Sequence, residues 1–552
     1  MKRIVVLALS ALLSMQGQAQ LLRTTVAQGE VEGVEEQGLA HFKGIPFAQP
    51  PVGELRWKAP LPASPWHGVY EAKEFKAKPY QRSQGRTSPG RPGMSEDCLY
   101  LNVLTPAKYR EAKLPVLVWI HGGGFSTGAS WEQNGINFAK NGIVYCAIAY
   151  RTNVFGFLST PALSEESRKE NGRAASGNYG LMDQLLALRW IKDNIAAFGG
   201  DPDKITIMGE SAGAISVAML CQSPLAKGLF RGAISESGGN MVPVSHYRID
   251  NNSVRDVKGS EAYGQAMLDR LGLGKKKLKD LRKLDPESFM SDSAAFSAGG
   301  ALWPCYDDHV LSTDAYVQYE KGNYNDVNVM IGTNSDEGSM FTTFLGGYTP
   351  DQYEREMITS FPDPVWQKKF RQMYPGADEQ EAFDAHSDIF RDAAFAWPTY
   401  AWANLQSGRT EAGKGQGKVY MFFFDQAKSN FFRRDRNAGR KFLTTHAAEM
   451  RYTFGFGESR MAPGPEPRTA DPREEGLTRM VFRYWVNFIK NGDPNICTDA
   501  ANQLPAWIPY SKGTESVMYF RDGGHLAPVQ NQAQMDLWES YFNAMRKQYQ
   551  HE

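Results

Sequence analysis

The amino-acid sequence predicts an α/β fold, and three observations carry that prediction. Short apolar runs without alternation recur at residues 116–120, 143–149 and 205–208, the pattern of central strands covered on both faces. Between the second and third runs, Leu181, Leu185, Leu188, Ile191 and Ile195 recur at three- and four-residue steps, which lays one apolar stripe along a helix. Strand, helix and strand in that order form a βαβ unit, and its crossover makes the sheet parallel there.

The flanking residues bound these elements. Asn178 is the expected cap of the helix, and Gly199-Gly200-Asp201-Pro202 is expected to end it. Val327-Asn328-Val329-Met330-Ile331 and Val419-Tyr420-Met421-Phe422-Phe423-Phe424 read as two later strands. The lysine-rich stretch at residues 274–280 has Leu278, Leu281 and Leu284 nearby, and reads as the solvated face of a helix. No repeat, low-complexity tract or linker interrupts the chain.

Composition narrows the classes. At about 150 residues per domain, 552 residues nominally mean three or four domains. Hydrophobic residues at 42% and charged ones at 22% are ordinary globular values. Sixty-one basic and 61 acidic side chains give zero net charge, which removes any global electrostatic reason to bind nucleic acid. Lys2 and Arg3 precede the apolar run 4–13, and Gly17-Gln18-Ala19 follows; residues 1–19 therefore read as a secretory signal peptide. No later stretch approaches the roughly 18 apolar residues of a membrane span. The mature chain is expected to be soluble and secreted or periplasmic.

Five cysteines without a C-x-x-C pair are too few for a disulfide scaffold. The nine histidines lack H-x-x-x-H and H-E-x-x-H spacing, so no metal is expected. Cys146 lies inside an apolar run and reads as an inert buried thiol.

Two motifs carry chemistry. Gly209-Glu210-Ser211-Ala212-Gly213 follows the third strand and opens an apolar run from Ala214 to Leu220 that looks helical. A nucleophilic serine needs such a tight, strained strand-to-helix turn, and glycines on either side let neighbouring backbone approach. The helix that follows turns its N-terminal N–H groups toward a developing anion. His121-Gly122-Gly123-Gly124 also follows a strand. With the N–H of Ala212, this glycine loop can offer three donors to an oxyanion.

A serine hydroxyl needs a base, and the base an orienting carboxylate. Downstream of Ser211 stand His246, His309, His386, His446, His525 and His551. Asp336 and Glu337 share one loop after a strand, and spacing does not choose between them.

Taken together the residues resemble the type-B carboxylesterases, the branch of the α/β-hydrolase superfamily that includes cholinesterases and bacterial p-nitrobenzyl-type esterases. The resemblance runs through Lys43-Gly44-Ile45-Pro46-Phe47-Ala48, Leu55-Arg56-Trp57 and Ser95-Glu96-Asp97-Cys98-Leu99-Tyr100-Leu101-Asn102-Val103. It continues through His121 to Phe125, Asn178-Tyr179-Gly180-Leu181-Met182-Asp183-Gln184, Gly209 to Gly213, Asn334 to Gly338, and Tyr484-Trp485-Val486-Asn487-Phe488 with Gly492-Asp493-Pro494-Asn495. It implies a large, mostly parallel sheet flanked by helices, with long insertions around the active-site gorge, and residues 20–552 as one domain.

The resemblance also implies a triad of Ser211, His446 and Glu337, since the family's acid precedes the glycine of N-x-x-E-G and its histidine opens an H-x-x-E segment, matched by Glu449. Gly123, Gly124 and Ala212 align with the oxyanion donors. Glu210 adds negative field beside the serine, and Ser237 matches a supporting polar position. The implied activity is hydrolysis of an uncharged carboxylic ester through an acyl-enzyme, with no cofactor. Lipase, amidase or thioesterase chemistry on the same triad is the alternative, and a non-catalytic adhesion protein a remoter one. The polar stretch from Arg82 to Met94 argues against a lipase lid.

Two departures stand out. Relatives pair the cysteine of the E-D-C-L-Y-L-N segment with one upstream, but Cys98 is the first in this chain. Ser88 stands where cholinesterases carry the tryptophan that stacks choline, so the cation–π partner is missing. Trp119 is expected to pack in the core.

Overall fold

The computed structural model describes residues 20–81, 91–243, 255–291, 302–346, 348–426, 444–455, 472–496 and 504–549. The expected signal peptide, Ser88, most of the stretch from Arg82 to Met94, His246, His551 and Cys497 lie outside the described residues.

An eleven-stranded sheet forms the centre. Its strands in chain order are β1 (Val34–Glu36), β2 (Leu39–Pro46), β3 (Tyr100–Thr105), β4 (Leu114–Ile120), β5 (Val144–Ile148), β6 (Gly200–Glu210), β7 (Gly232–Glu236), β8 (Asn328–Asn334), β9 (Val419–Phe424), β10 (Val517–Phe520) and β11 (Gly524–Ala527). Across the sheet they run β11-β10-β9-β8-β7-β6-β4-β5-β3-β2-β1. From β5 through β10 all pairings are parallel. Antiparallel strands close both edges. The α/β expectation and the mostly parallel sheet agree with this.

Alternate residues of a strand point to opposite faces. In β4, Val116, Val118 and Ile120 enter one apolar core while Leu117 and Trp119 enter the other. Trp119 is buried edge-on against Phe454 at 5.0 Å, as expected of core packing.

Helix α1 (Tyr179–Asn194) follows β5 and buries Leu181, Leu185, Leu188 and Ile191. Ile195 falls in a short 3₁₀ turn that Gly199 ends at φ 79°. Asn178 occupies the cap position, but its side chain does not cap. It instead donates to the Cys305 carbonyl at 2.7 Å and accepts from the Cys305 N–H at 2.9 Å, a tertiary pairing that supersedes the local one. Arg151, just beyond β5, grips Asp183 of α1 through Nε and Nη2 at 2.8 and 2.7 Å, with both side chains buried. The helix α2 (Ala212–Gln222) springs from β6.

The lysine-rich stretch is less regular than the sequence predicts. Only Leu278–Leu281 is helical, with Leu281 buried and Lys275, Lys276 and Lys277 exposed. Cys98, Cys146 and Cys221 are buried thiols. Burial pushes Cys146 well above the ordinary thiol range, which keeps it inert. No helix among the described residues is long and apolar enough to cross a membrane.

Candidate active site

Ser211 stands on the single residue between β6 and α2, at φ 57° and ψ −125°. A non-glycine residue there is strained, and close packing holds it. A Cβ on Gly213 would lie 2.1 Å from the Ile120 carbonyl, and one on Gly209 would lie 2.4 Å from the Gly213 backbone. The Ser211 N–H donates to the Glu236 carbonyl at 3.0 Å, tying the turn to β7.

The glycine loop lies against this turn. A Cβ on Gly122 would meet the Glu210 carbonyl at 2.7 Å and Ser211 Cβ at 3.2 Å. Gly123 and Gly124 adopt φ 99° and 60°. His121 stacks on Tyr150 at 4.3 Å and accepts a 2.8 Å bond from the Tyr150 hydroxyl at its carbonyl. Burial pushes the His121 ring down to about 4, so it remains neutral and supports the loop by packing.

After β8 and β9 two loops dock on each other. The Asp336 N–H donates to the Thr444 carbonyl at 2.9 Å, and Asn334 Nδ2 to the Thr445 carbonyl at 3.0 Å. This brings His446 Nδ1 to 2.6 Å from Glu337 Oε2. The other oxygen of Glu337 accepts from Ser237 Oγ and from the Asn334 N–H, both at 2.6 Å. Asp336 turns away and accepts from Ser339 Oγ at 2.7 Å. Of the two acids that spacing leaves open, Glu337 is the one on the imidazole.

The other histidines are elsewhere: His309 beside Arg173, His386 on Glu356, and His525 on the edge strand β11.

His446 is enclosed. The rings of Phe395 and Phe341 flank it at 4.7 and 5.2 Å. Its Nε2 lies 3.2 Å from Glu210 Oε1 and makes no hydrogen bond among the described residues. Burial opposes charge on the ring, but Glu210, Glu337 and Glu449 outweigh it and hold the imidazole up at about 9. Burial raises Glu210 to about 7, with His446 opposing and Glu337 adding to the rise. Burial, and then Glu210 and Glu337, raise Glu449 to about 8.

Glu236, Phe341 and Phe395 are the members of this centre that carry little sequence signal. Asn334 Nδ2 also bonds Glu449 Oε2. Glu236 accepts from Trp485 Nε1 at 2.6 Å and from Thr453 Oγ1 at 3.3 Å. Burial, followed by the Glu449 charge, lifts Glu236 well above the usual carboxylate range. An acid closing the buried strand 232–236 was its one signal. Phe341 and Phe395 look like ordinary core aromatics in the sequence.

A carboxylate on Nδ1 fixes the tautomer that leaves Nε2 as the basic nitrogen. A serine on a strained strand-to-helix turn beside a glycine loop is the local arrangement in which acyl-transfer nucleophiles and oxyanion donors are found. A model of the carboxylesterase family matches residues 19–538. The chain belongs to the carboxylesterase family.

It is 36% identical over 412 residues to the fumonisin B1 esterase of Sphingopyxis macrogoltabida, covering 72% of each chain. It is 31% identical over 515 residues to the para-nitrobenzyl esterase of Bacillus subtilis (strain 168), covering 90% of this chain and 94% of that one. Similarity to the acetylcholinesterase of Bungarus fasciatus is 30% over 543 residues, covering 90% and 82%. This carboxylesterase is a carboxylic ester hydrolase with the family's α/β-hydrolase fold.

Proposed function

We propose that this carboxylesterase is an exported, one-domain enzyme that cleaves uncharged carboxylic esters through an acyl-enzyme on Ser211. The hydrogen-bond chain from Ser237 through Glu337 to His446 carries the reading. Ser211 Oγ attacks the ester carbonyl as His446 Nε2 takes its proton, and Glu337 stabilises the imidazolium. The N–H groups of Gly123, Gly124 and Ala212 receive the oxyanion. His446 then protonates the departing alcohol. Water, deprotonated by the same nitrogen, releases the acid and restores Ser211.

The preference for uncharged substrates rests on the enclosure of His446 by the rings of Phe341 and Phe395, where a charged substrate would lose its water without a paired counter-charge. The charged start of the chain and its apolar run 4–13 support export.

The test is turnover of p-nitrophenyl acetate, butyrate and palmitate by wild type and Ser211→Ala. The account expects turnover of the short esters, and loss in the mutant. Full activity in the mutant overturns it, and preference for palmitate points to the lipase alternative.

A further inference from the structure

Two to five strands from Ser211 across the sheet, a cavity of about 200 Å³ opens where β1 and β2 meet β3 and β5, beside residues 130–136. It belongs to neither the nucleophile turn nor the His446 loop. Its walls combine rings, a guanidinium and an ion pair.

The Arg91 guanidinium lies over two aromatic rings, 4.7 Å from the Phe75 ring centroid and 5.3 Å from that of Trp131. Contacts with ring faces leave the in-plane N–H groups of a guanidinium for an acceptor. Arg91 has no acidic or carbonyl partner among the described residues, and its side chain is exposed. Trp131 Nε1 is a buried polar atom of the same lining with no hydrogen-bond partner among the described residues.

The remaining charges cancel. Glu36 accepts from His41 Nδ1 at 2.6 Å with one oxygen and from Lys43 Nζ with the other. The His41 bond above all, with Lys43 assisting against burial, holds Glu36 down at about 2, so it stays ionised and neutralises Lys43. Burial lowers His41, its bond to Glu36 and the Glu36 charge work against that, and the Lys43 and Arg91 charges lower it further. Both Glu36 oxygens are taken, and the described lining holds no second carboxylate for a cation. Among the described residues, what it leaves unspent is one positive charge and N–H donors.

Size and lining define the rest. A dry cavity of about 150 Å³ accepts benzene, so about 200 Å³ holds a ring and a carboxylate. Leu104, Ile136 and Tyr145 supply the apolar wall.

We propose that this cavity is a binding site for a small monocarboxylate with an aromatic or short aliphatic body, its carboxylate held by Arg91 and Trp131 Nε1 and its body against Leu104, Ile136 and Tyr145. Trp131 lies seven residues beyond Gly124 in the segment that continues the glycine loop, so an occupant sits on the same stretch of chain as that loop.

Isothermal titration calorimetry with sodium benzoate, at ionic strength held constant with chloride, tests the site. The wild-type enzyme is expected to bind one benzoate at about millimolar Kd or tighter. Arg91→Gln removes the charged donor and should weaken binding at least tenfold, because hydrogen bonds to charged groups exceed that factor. Trp131→Ala should weaken it as well. Benzyl alcohol, the same shape without the charge, should bind at least tenfold less tightly than benzoate. Both variants keep ester turnover, which shows that they fold. Absence of saturable benzoate binding overturns the proposal. So does unchanged affinity in folded Arg91→Gln, since that places the benzoate elsewhere, the catalytic centre included.

Discussion

His446 Nδ1 and Glu337 Oε2 stand 2.6 Å apart, and that contact decides which ring nitrogen faces the rest of the site. Replacing Glu337 by Gln leaves the shape but removes the charge that fixes the tautomer. The kcat should fall on the order of a thousand- to ten-thousandfold. Asp336→Asn should stay within about tenfold of wild type, because Asp336 bonds Ser339 and not the imidazole. Steady-state kinetics of the two variants check this, and the reverse ranking contradicts it.

The pH profile of kcat/KM reports on the base. His446 accepts a proton only when neutral, and its neighbours hold it up at about 9. Activity should therefore rise with pH along a limb near that value. Glu210 is foremost among the charges that raise the ring. In Glu210→Gln the limb should move to lower pH by about one unit or more, and an unmoved limb would show that Glu210 does not act on His446.

Stability should carry the opposite pH slope from that of most proteins in acid. The folded chain keeps protons on Glu210 and Glu449 up to about 7 and 8, and on His446 up to about 9. The unfolded chain releases them near 4.5 for the acids and 6.5 for histidine. Between these values the folded state binds more protons, so this centre loses stability as pH rises. Glu449→Gln removes one such group. Its stability relative to wild type should climb as pH goes from about 5 to 8 and then level off. Denaturant midpoints across that range measure it, and a constant difference would contradict the account.

Much of this arrangement is legible in the sequence where sterics dictate it. Ser211 needs a strained turn, so Gly209 and Gly213 announce it, and Gly123 and Gly124 announce the loop beside it. The parallel core is legible because β4, β5 and β6 are buried on both faces and read as continuous apolar runs. Adjacent loop acids are another matter: Asp336 and Glu337 differ only in how the loop docks on residues 444–446, which no local pattern encodes. The resemblance names Glu337, and the contact to His446 lies there. Glu236 and Asn178 escape local reading for one physical reason. Their partners, Trp485 and Cys305, are more than a hundred residues away.

The Arg151–Asp183 pair shows what the Asn178-to-Gln184 segment does structurally. It fixes α1 to the end of β5 with two charge-assisted bonds in a buried setting. Asp183→Asn leaves Arg151 buried without its counter-charge, and should cost about 3–5 kcal/mol of folding stability. Urea unfolding of the purified variant reads that cost. A change below about 1 kcal/mol would mean that solvent reaches the pair.

The central claim is the acyl-enzyme on Ser211. Acid-quenching the reaction with p-nitrophenyl butyrate on the millisecond scale, followed by peptide mass spectrometry, tests it most directly. The account predicts a butyryl group on the peptide that contains Ser211, on that serine. A butyryl group on another residue, or turnover that proceeds with no acylated peptide while nitrophenol is released without a burst, would contradict it.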